Sequence, residues 1–339
     1  MVGRGRWLIT GGCGFIGTAL IRHLFEKGLA SHVRVLDNLA VGTREDLSRV
    51  CSFTEIDAAS LELNEQRDDT QQYGFKGNTE LIVGDIRNAR TCELACKGMD
   101  VIVHLAANTG VPKSVENPRL DMECNVIGTF NMLEAARMAG VKRFVFASSG
   151  APAGEVSPPI HEELPPHPVS PYGASKLAGE GYCSAYFRTF GLETVALRFS
   201  NVYGPGSTHK TSVVAKFIKQ AIGGQVLEIY GDGTQTRDFI YIDDLINALV
   251  LAATREGIGG ETFQIATSRE TTLDELTQLL LQCLERQGIN RPKVQKTRPR
   301  RGDVKRNFSD TTKARQMLGW ECTWSLEQGL DATIRWFIK

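Results

Sequence analysis

The sequence predicts an α/β fold: a doubly wound parallel sheet followed by a smaller C-terminal α/β region. Three observations carry this expectation. Short β-branched runs alternate with helical patterns through the first two hundred residues, the rhythm of βαβ units whose right-handed crossovers cover both faces of a parallel sheet. The first run enters a glycine-rich turn and then an apolar-patterned helix. After about Asn201 the rhythm changes, and turns such as Tyr203-Gly204-Pro205-Gly206 and Tyr230-Gly231-Asp232-Gly233 separate shorter elements. The chain is therefore divided into residues 1–200 and 201–339, with some chain exchanged between the two parts.

Strands are expected at 7–10, 33–37, 81–84, 101–106, 144–148 and 194–199, each ending near a small or polar residue. In open α/β sheets ligands gather beyond the carboxyl ends of the strands, so those ends are where chemistry is sought. Residues 51–78 are polar, with Glu55, Asp57, Glu62, Glu65, Asp68 and Asp69 and little apolar period. They read as an excursion from the surface of the first part.

Composition excludes several classes. Lys plus Arg and Asp plus Glu are each 39, so no global field holds a polyanion, and nucleic acid is not an expected partner. Hydrophobic residues at 42% and charged residues at 23% mark a globular chain rather than a disordered one. No apolar run reaches the ~18 residues of a membrane span, and no export signal precedes the first strand. Eight cysteines scattered through a long chain suit reduced thiols in a cytoplasm. Cys92 and Cys96 lack nearby His or Cys partners, so no metal site is expected.

The first strand runs into Gly11-Gly12-Cys13-Gly14-Phe15-Ile16-Gly17. This is strand, glycine turn and helix in the order a dinucleotide requires. Gly11 permits the turn, Gly14 lets backbone approach a pyrophosphate, and Gly17 lets helix pack on strand. Asp37 ends the second strand 20 residues after Gly17, where a carboxylate accepts from ribose hydroxyls and repels a 2′-phosphate. Asn38 follows, not Arg, so NAD is expected rather than NADP. Asp85, before Ile86, suits either a hydrogen bond to adenine or a helix cap.

Ser170-Pro171-Tyr172-Gly173-Ala174-Ser175-Lys176 reads as an N-cap, a Pro in the first turn and a helix running to about Phe190 before Gly191. Tyr172 and Lys176, four apart, share one face. An ammonium beside a phenol is expected to bring its pKa down from ~10 toward the working range, so the pair can act as one acid/base unit. The strand at 144–148 delivers two hydroxyls, Ser148 and Ser149, to its carboxyl end.

Together these residues resemble the extended short-chain dehydrogenase/reductase family, in its nucleotide-sugar epimerase/dehydratase branch. The resemblance spans nearly the whole chain. It includes residues 10–17, Asp37-Asn38, Gly84-Asp85-Ile86, His104-Leu105-Ala106-Ala107, Asn125-Val126-Ile127-Gly128-Thr129, Ser148-Ser149, Tyr172 to Lys176 and residues 198–204. It continues through residues 231–244, Arg300-Arg301-Gly302-Asp303, Lys313-Ala314 and Leu318-Gly319-Trp320. It implies a Rossmann-like NAD-binding part and a C-terminal nucleotide-sugar-binding part. It further implies catalysis by Ser149, Tyr172 and Lys176, and cofactor contacts from Gly11, Gly14, Phe15, Ile16, Gly17, Asp37, Asn38, Asp85, Ile86, Leu105, Ala106, Ala107, Asn125 and Lys176.

The implied reaction is a transient oxidation at the sugar C4: Tyr172 takes the hydroxyl proton, NAD takes the hydride, and Ser149 steadies the oxygen. Substrate contacts are implied at Asn201, Tyr230, Arg237, Arg300, Asp303 and Asn307, besides Ser149 and Tyr172. Tyr230 suits uracil stacking and core or rim packing equally. The segment 293–306 holds seven basic residues against Asp303 alone, without the interleaved aromatics of a nucleic-acid surface.

Similar 4,6-dehydratases carry an Asp–Glu pair after the strand-end hydroxyl. Here Ser149 is followed by Gly150-Ala151-Pro152-Ala153-Gly154, and Glu155 comes too late. The implied activity is therefore 4-epimerisation of a UDP-hexose, with a dehydratase or 4-keto reductase second and a catalytically silent NAD-binding sensor third. Pro152-Ala153-Gly154 departs from the usual Val-Tyr-Gly of epimerases. Asn307 stands where glucose/galactose-restricted epimerases place a bulky Tyr, leaving room for a 2-acetamido group. The family further implies a homodimer formed by helices near 119–139 and 171–190 as a four-helix bundle.

Overall fold

The computed structural model describes residues 5–57, 79–298 and 304–339. Eight strands among them form one sheet, in the order Glu261–Ile265, Thr194–Phe199, Arg143–Ser149, Val101–His104, Gly5–Thr10, Ala30–Asp37, Thr79–Val83 and Thr54–Ile56. Every pairing in it is parallel. From the central strand Gly5–Thr10 the chain first builds outward on one side and then crosses to Val101–His104 on the other. The strand order therefore reverses at the carboxyl end of Thr10, where an open α/β sheet leaves a crevice.

Both faces of the sheet are covered, and alternate side chains of each strand serve opposite cores. Trp7, Ile9, Val33, Val35, Val103, Val145 and Val195 pack beneath the helices Phe15–Glu26 and Ile242–Thr254. Leu8, Leu36, Ile102, Phe144, Phe146 and Ala196 pack beneath Ala89–Cys96, Gly128–Met138 and Pro171–Phe190. Each fully buried side chain of this kind contributes about 1.5–3 kcal/mol. The first core continues into the C-terminal part through Leu276, Leu280, Trp320 and Leu330. Trp320 also donates its indole N–H to the Asp244 carbonyl at 2.8 Å, fastening it to the helix Ile242–Thr254 that packs on the sheet, and one core thus serves both parts.

The six expected strands are present, with ends moved by a few residues. Two further strands lie at the sheet edges. Thr54–Ile56 pairs with Thr79–Val83, which corrects the reading of residues 51–57 as part of a surface excursion. Half-buried Phe53 and Cys51 fasten this edge to the core, and a three-residue strand is too short to show a period. Residues 58–78 of that stretch lie outside the described residues. The other edge, Glu261–Ile265, comes from beyond residue 201. With the helix Ile242–Thr254, it returns the second part of the chain to the first part's sheet.

Candidate active site

The turn after Thr10 is built for close approach. Gly11 has φ +68°, and a Cβ there would come within 3.0 Å of the Ala106 backbone nitrogen. At Gly17 a Cβ would lie 2.5 Å from the Gly12 Cα, so only glycine lets the helix sit on its own turn. Gly14 is the N-cap of Phe15–Glu26, in extended backbone and with no side-chain cap. The first turn of that helix, which holds Phe15, Ile16 and Gly17, thus presents a positive dipole end with no side chain answering it.

Asp37 is buried, and both its oxygens accept backbone amides, from Cys13 at 3.0 Å and Leu39 at 2.8 Å. The carboxylate locks the turn while keeping lone pairs for further donors. Burial raises its pKa, opposed by those two amides. Asn38 donates to Asp85 at 3.3 Å. Asp85 is gripped by Arg87, which holds its carboxyl down at about 2. It is not the cap of Ala89–Cys96, because Asn88 caps that helix through the Thr91 amide. Ile86 is buried, its carbonyl accepting from Asn131 at 3.0 Å.

Behind the crevice runs a directional chain of hydrogen bonds. The Ala106 amide donates to Thr10 Oγ1 at 3.1 Å, and Thr10 lies 2.7 Å from His104 Nδ1. His104 Nε2 lies 3.1 Å from Thr129 Oγ1, which donates to the Asn125 carbonyl at 2.7 Å. Thr129 spends its proton on that carbonyl, so His104 must donate from Nε2 and accept from Thr10 at Nδ1. Burial and the nearby Lys176 charge push His104 down to about 3 and keep it neutral. The chain fixes Leu105, Ala106 and Ala107 against the glycine turn, and the Leu105 amide reaches the Thr10 carbonyl at 3.2 Å.

The helix Pro171–Phe190 begins as expected, with Ser170 Oγ accepting the Gly173 amide at 3.1 Å, and ends at Gly191 with φ +71°. It brings Tyr172 near Ser149 and buries Lys176, whose ammonium donates to the Ala147 carbonyl at 2.8 Å. The ammonium also lies 4.8 Å above the Phe146 ring. Burial pushes Tyr172 up to about 12, opposed by the nearby Ser149 hydroxyl, and pushes Lys176 down to about 8. The expected lowering of the Tyr172 pKa by Lys176 is therefore corrected. The ammonium turns to a backbone carbonyl, and desolvation dominates the phenol.

Asn125 stands in a π-helical turn, Glu123–Ile127, and braces this helix. It accepts the Asn108 amide at 2.8 Å, and its Nδ2 lies within 3.1 Å of Asn108 O, Asp121 and Ser175. Sequence reasoning passed over buried Asp121, although its i,i+4 spacing to Asn125 was a signal. It also passed over Glu180, one turn beyond Lys176. Arg198 donates to both Glu180 oxygens at 2.8 Å, and Ser148 donates to the same carboxylate at 2.5 Å.

Of the expected substrate residues, Asn201, Arg237 and Asn307 are brought together. The Asn201 side chain donates to Asp238 O at 3.2 Å, Arg237 donates to Val304 O at 2.7 Å, and the Asn307 amide donates to Thr236 at 3.3 Å. Tyr230 pairs with Thr297 in a parallel ladder and carries the Lys216 ammonium over its ring. Arg300 and Asp303 lie outside the described residues. Of the basic segment, Lys296 is paired with Asp274 and Arg306 with Glu270.

Residues 7–266 match the model of the NAD dependent epimerase/dehydratase family. The chain belongs to this family. A UDP-glucose 4-epimerase of Mycolicibacterium smegmatis is 34% identical, with 98% of each chain covered. Among solved structures, a Thermotoga maritima UDP-glucose 4-epimerase with UDP-glucose is 35% identical, with TM-score 0.84 and 98% of each chain covered. A Streptomyces venezuelae dTDP-glucose 4,6-dehydratase with NAD is 33% identical, with TM-score 0.83 and 98% and 97% covered. The protein is thus an NAD-dependent enzyme of a family that acts on nucleotide sugars. The glycine turn fits the cofactor on its own geometry: the uncapped Phe15–Glu26 N-terminus and the cradle that a Cβ would fill suit a dinucleotide diphosphate.

Among the described residues no helix is long and apolar enough to cross a membrane, and no cluster of three metal-ligating side chains occurs.

Proposed function

We propose that this chain catalyses 4-epimerisation of a UDP-hexose through a transient 4-keto sugar. One observation separates this reading from the dehydratase reading. The segment following Ser149, Gly150 to Gly154, holds no ionisable side chain, and its Pro152 and Ala153 are buried. The first carboxylate beyond it, Glu155, faces solvent. Elimination of water across C5 and C6 needs an acid/base pair at that place.

In this reading Gly11, Gly14, Phe15, Ile16, Gly17, Asp37, Asn38, Asp85, Ile86, Leu105, Ala106, Ala107, Asn125 and Lys176 hold the cofactor. NAD, when bound, supplies a reversible hydride acceptor and a cationic ring. Tyr172 removes the C4 hydroxyl proton, and Ser149, near the phenol, holds the same oxygen. Lys176 supplies positive charge from a fixed site. Asn201, Tyr230, Arg237, Arg300 and Asp303 hold the nucleotide diphosphate, the arginines through planar forks matched to phosphate oxygens. Asn307 leaves room at C2, so UDP-GlcNAc and UDP-GalNAc are accepted alongside UDP-Glc and UDP-Gal. The exposed apolar side chains of the Gly128–Met138 and Pro171–Phe190 helices support a homodimer through these helices.

The test is incubation with UDP-, GDP- and dTDP-sugars, read by NMR at C4 and C5. Inversion at C4 of UDP-sugars is expected. A 4-keto-6-deoxy product would sink the proposal, and no reaction with any sugar would favour the sensor reading. Tyr172→Phe should lower turnover by roughly 10²–10⁴ while NAD stays bound. Asn307→Tyr should reduce turnover of the acetamido pair selectively.

A further inference from the structure

The loop from Gly204 to Ser212 leaves the C-terminal part and crosses the glycine turn. Gly206 sits against Phe15, where a Cβ would come 3.6 Å from the ring. His209 Nε2 reaches Asp46 at 2.9 Å, from a position 163 residues away. Asp46 belongs to Arg44–Ser48, whose capping box with Thr43 fixes that carboxylate. Gly42, just before, lies against the turn so closely that a Cβ would meet Cys13 O at 2.2 Å. Lys219 holds the same stretch from its other side, donating to the carbonyls of Thr208 at 3.1 Å and Lys210 at 2.9 Å. The loop is thus a strap whose residues 208–210 are tied from two sides, beside Phe15.

The strap carries Lys210. Its ammonium lies 5.3 Å from the centre of the Phe15 ring and has no carboxylate partner among the described residues. Lys176 and Lys219, by contrast, each have a carbonyl partner, Ala147 for the first and the strap for the second. Burial alone lowers the Lys210 pKa, with no nearby anion to restore it. A half-buried ammonium without a counter-charge is costly. It stands over the first residue of a 12-residue helix whose N-terminus has no side-chain cap. The two features meet at one place and call for the same chemistry, a dianionic diphosphate.

We propose that Lys210 is a diphosphate-binding residue for the cofactor, and that the His209–Asp46 contact latches the strap carrying it over bound NAD. The strap thereby slows NAD release and couples cofactor retention to the second part of the chain. A nucleotide sugar also carries a diphosphate, so the experiment separates the two sources.

The holoenzyme is diluted into excess competing NAD analogue and loss of its own NAD is followed with time, for the parent chain and for Lys210→Met, Lys210→Arg and His209→Gln. Binding of NAD, adenosine and UDP is measured on the same variants by calorimetry. Lys210→Met is expected to speed NAD release and weaken NAD binding by on the order of ten-fold, leaving adenosine unchanged, with Lys210→Arg restoring most of the loss. His209→Gln is expected to speed release to a smaller extent. Circular dichroism confirms that each variant is folded. Unchanged NAD release in Lys210→Met overturns the proposal, whether or not UDP binding falls. Equal weakening of NAD and adenosine also overturns it, because the effect would then lie in the turn rather than in the diphosphate.

Discussion

Lys176 is 3% exposed, yet it carries an ammonium. The Ala147 carbonyl and the face of Phe146 offset part of the desolvation cost. The groups around it are Asp121 from one neighbouring helix, His104 from the sheet, and Tyr172, Glu180 and Cys183 on its own helix. Of these, Asp121 and Glu180 favour the charge, but burial wins and the pKa falls to about 8. An unfolded lysine titrates near ~10.4. Between those values the unfolded chain binds more protons, so this residue makes stability rise with pH from about 8 to about 10.5. Lys176→Met should remove that slope and raise the unfolding midpoint at pH 7, while turnover is lost. Denaturant unfolding of both chains from pH 7 to 10 is the measurement. A lower midpoint at pH 7 with the slope intact would contradict it.

At the scale of the element, the Pro171–Phe190 helix is positioned by absent side chains. A Cβ at Gly173 would meet Ala151 O at 2.6 Å, and one at Gly179 would meet the Phe146 ring at 2.4 Å. The helix therefore lies unusually close to the Arg143–Ser149 strand. That closeness lets Lys176 reach Ala147 and Tyr172 reach Ser149. Gly179→Ala should cost about 1–3 kcal/mol through overpacking and lower turnover as the helix is pushed outward. Adding Phe146→Leu should recover stability. Calorimetric unfolding of the single and double variants decides, and an Ala variant as stable as the parent would show that the helix moves freely.

For the whole molecule, one group of exposed apolar side chains gathers on a single surface. Ile127, Phe130, Met138, Tyr182 and Phe190 are between 38% and 70% exposed on adjoining helices, and Phe130 meets Tyr182 edge to face at 5.8 Å. A patch of this kind marks an interface. The proposed homodimer is expected to sediment as two chains, and a Phe130→Glu, Tyr182→Glu double variant as one. A parent chain that sediments as one would overturn it.

The parallel sheet, the glycine turn, Asp37 and the Tyr172–Lys176 pair were legible in the sequence because each is specified locally. A strand–turn–helix order or an i,i+4 spacing lies within twenty residues or so and survives without knowledge of the rest. Tertiary structure alone decided the edge strands Thr54–Ile56 and Glu261–Ile265, the orientation of His104 and the Arg198–Glu180 pair. These depend on partners brought together only by folding: Thr10 and His104 are 94 residues apart, and Asp46 and His209 are 163 apart. The phenol's pKa was misjudged for the same reason. Spacing places an ammonium beside Tyr172, but burial and the competing Ala147 carbonyl exist only in the packed chain.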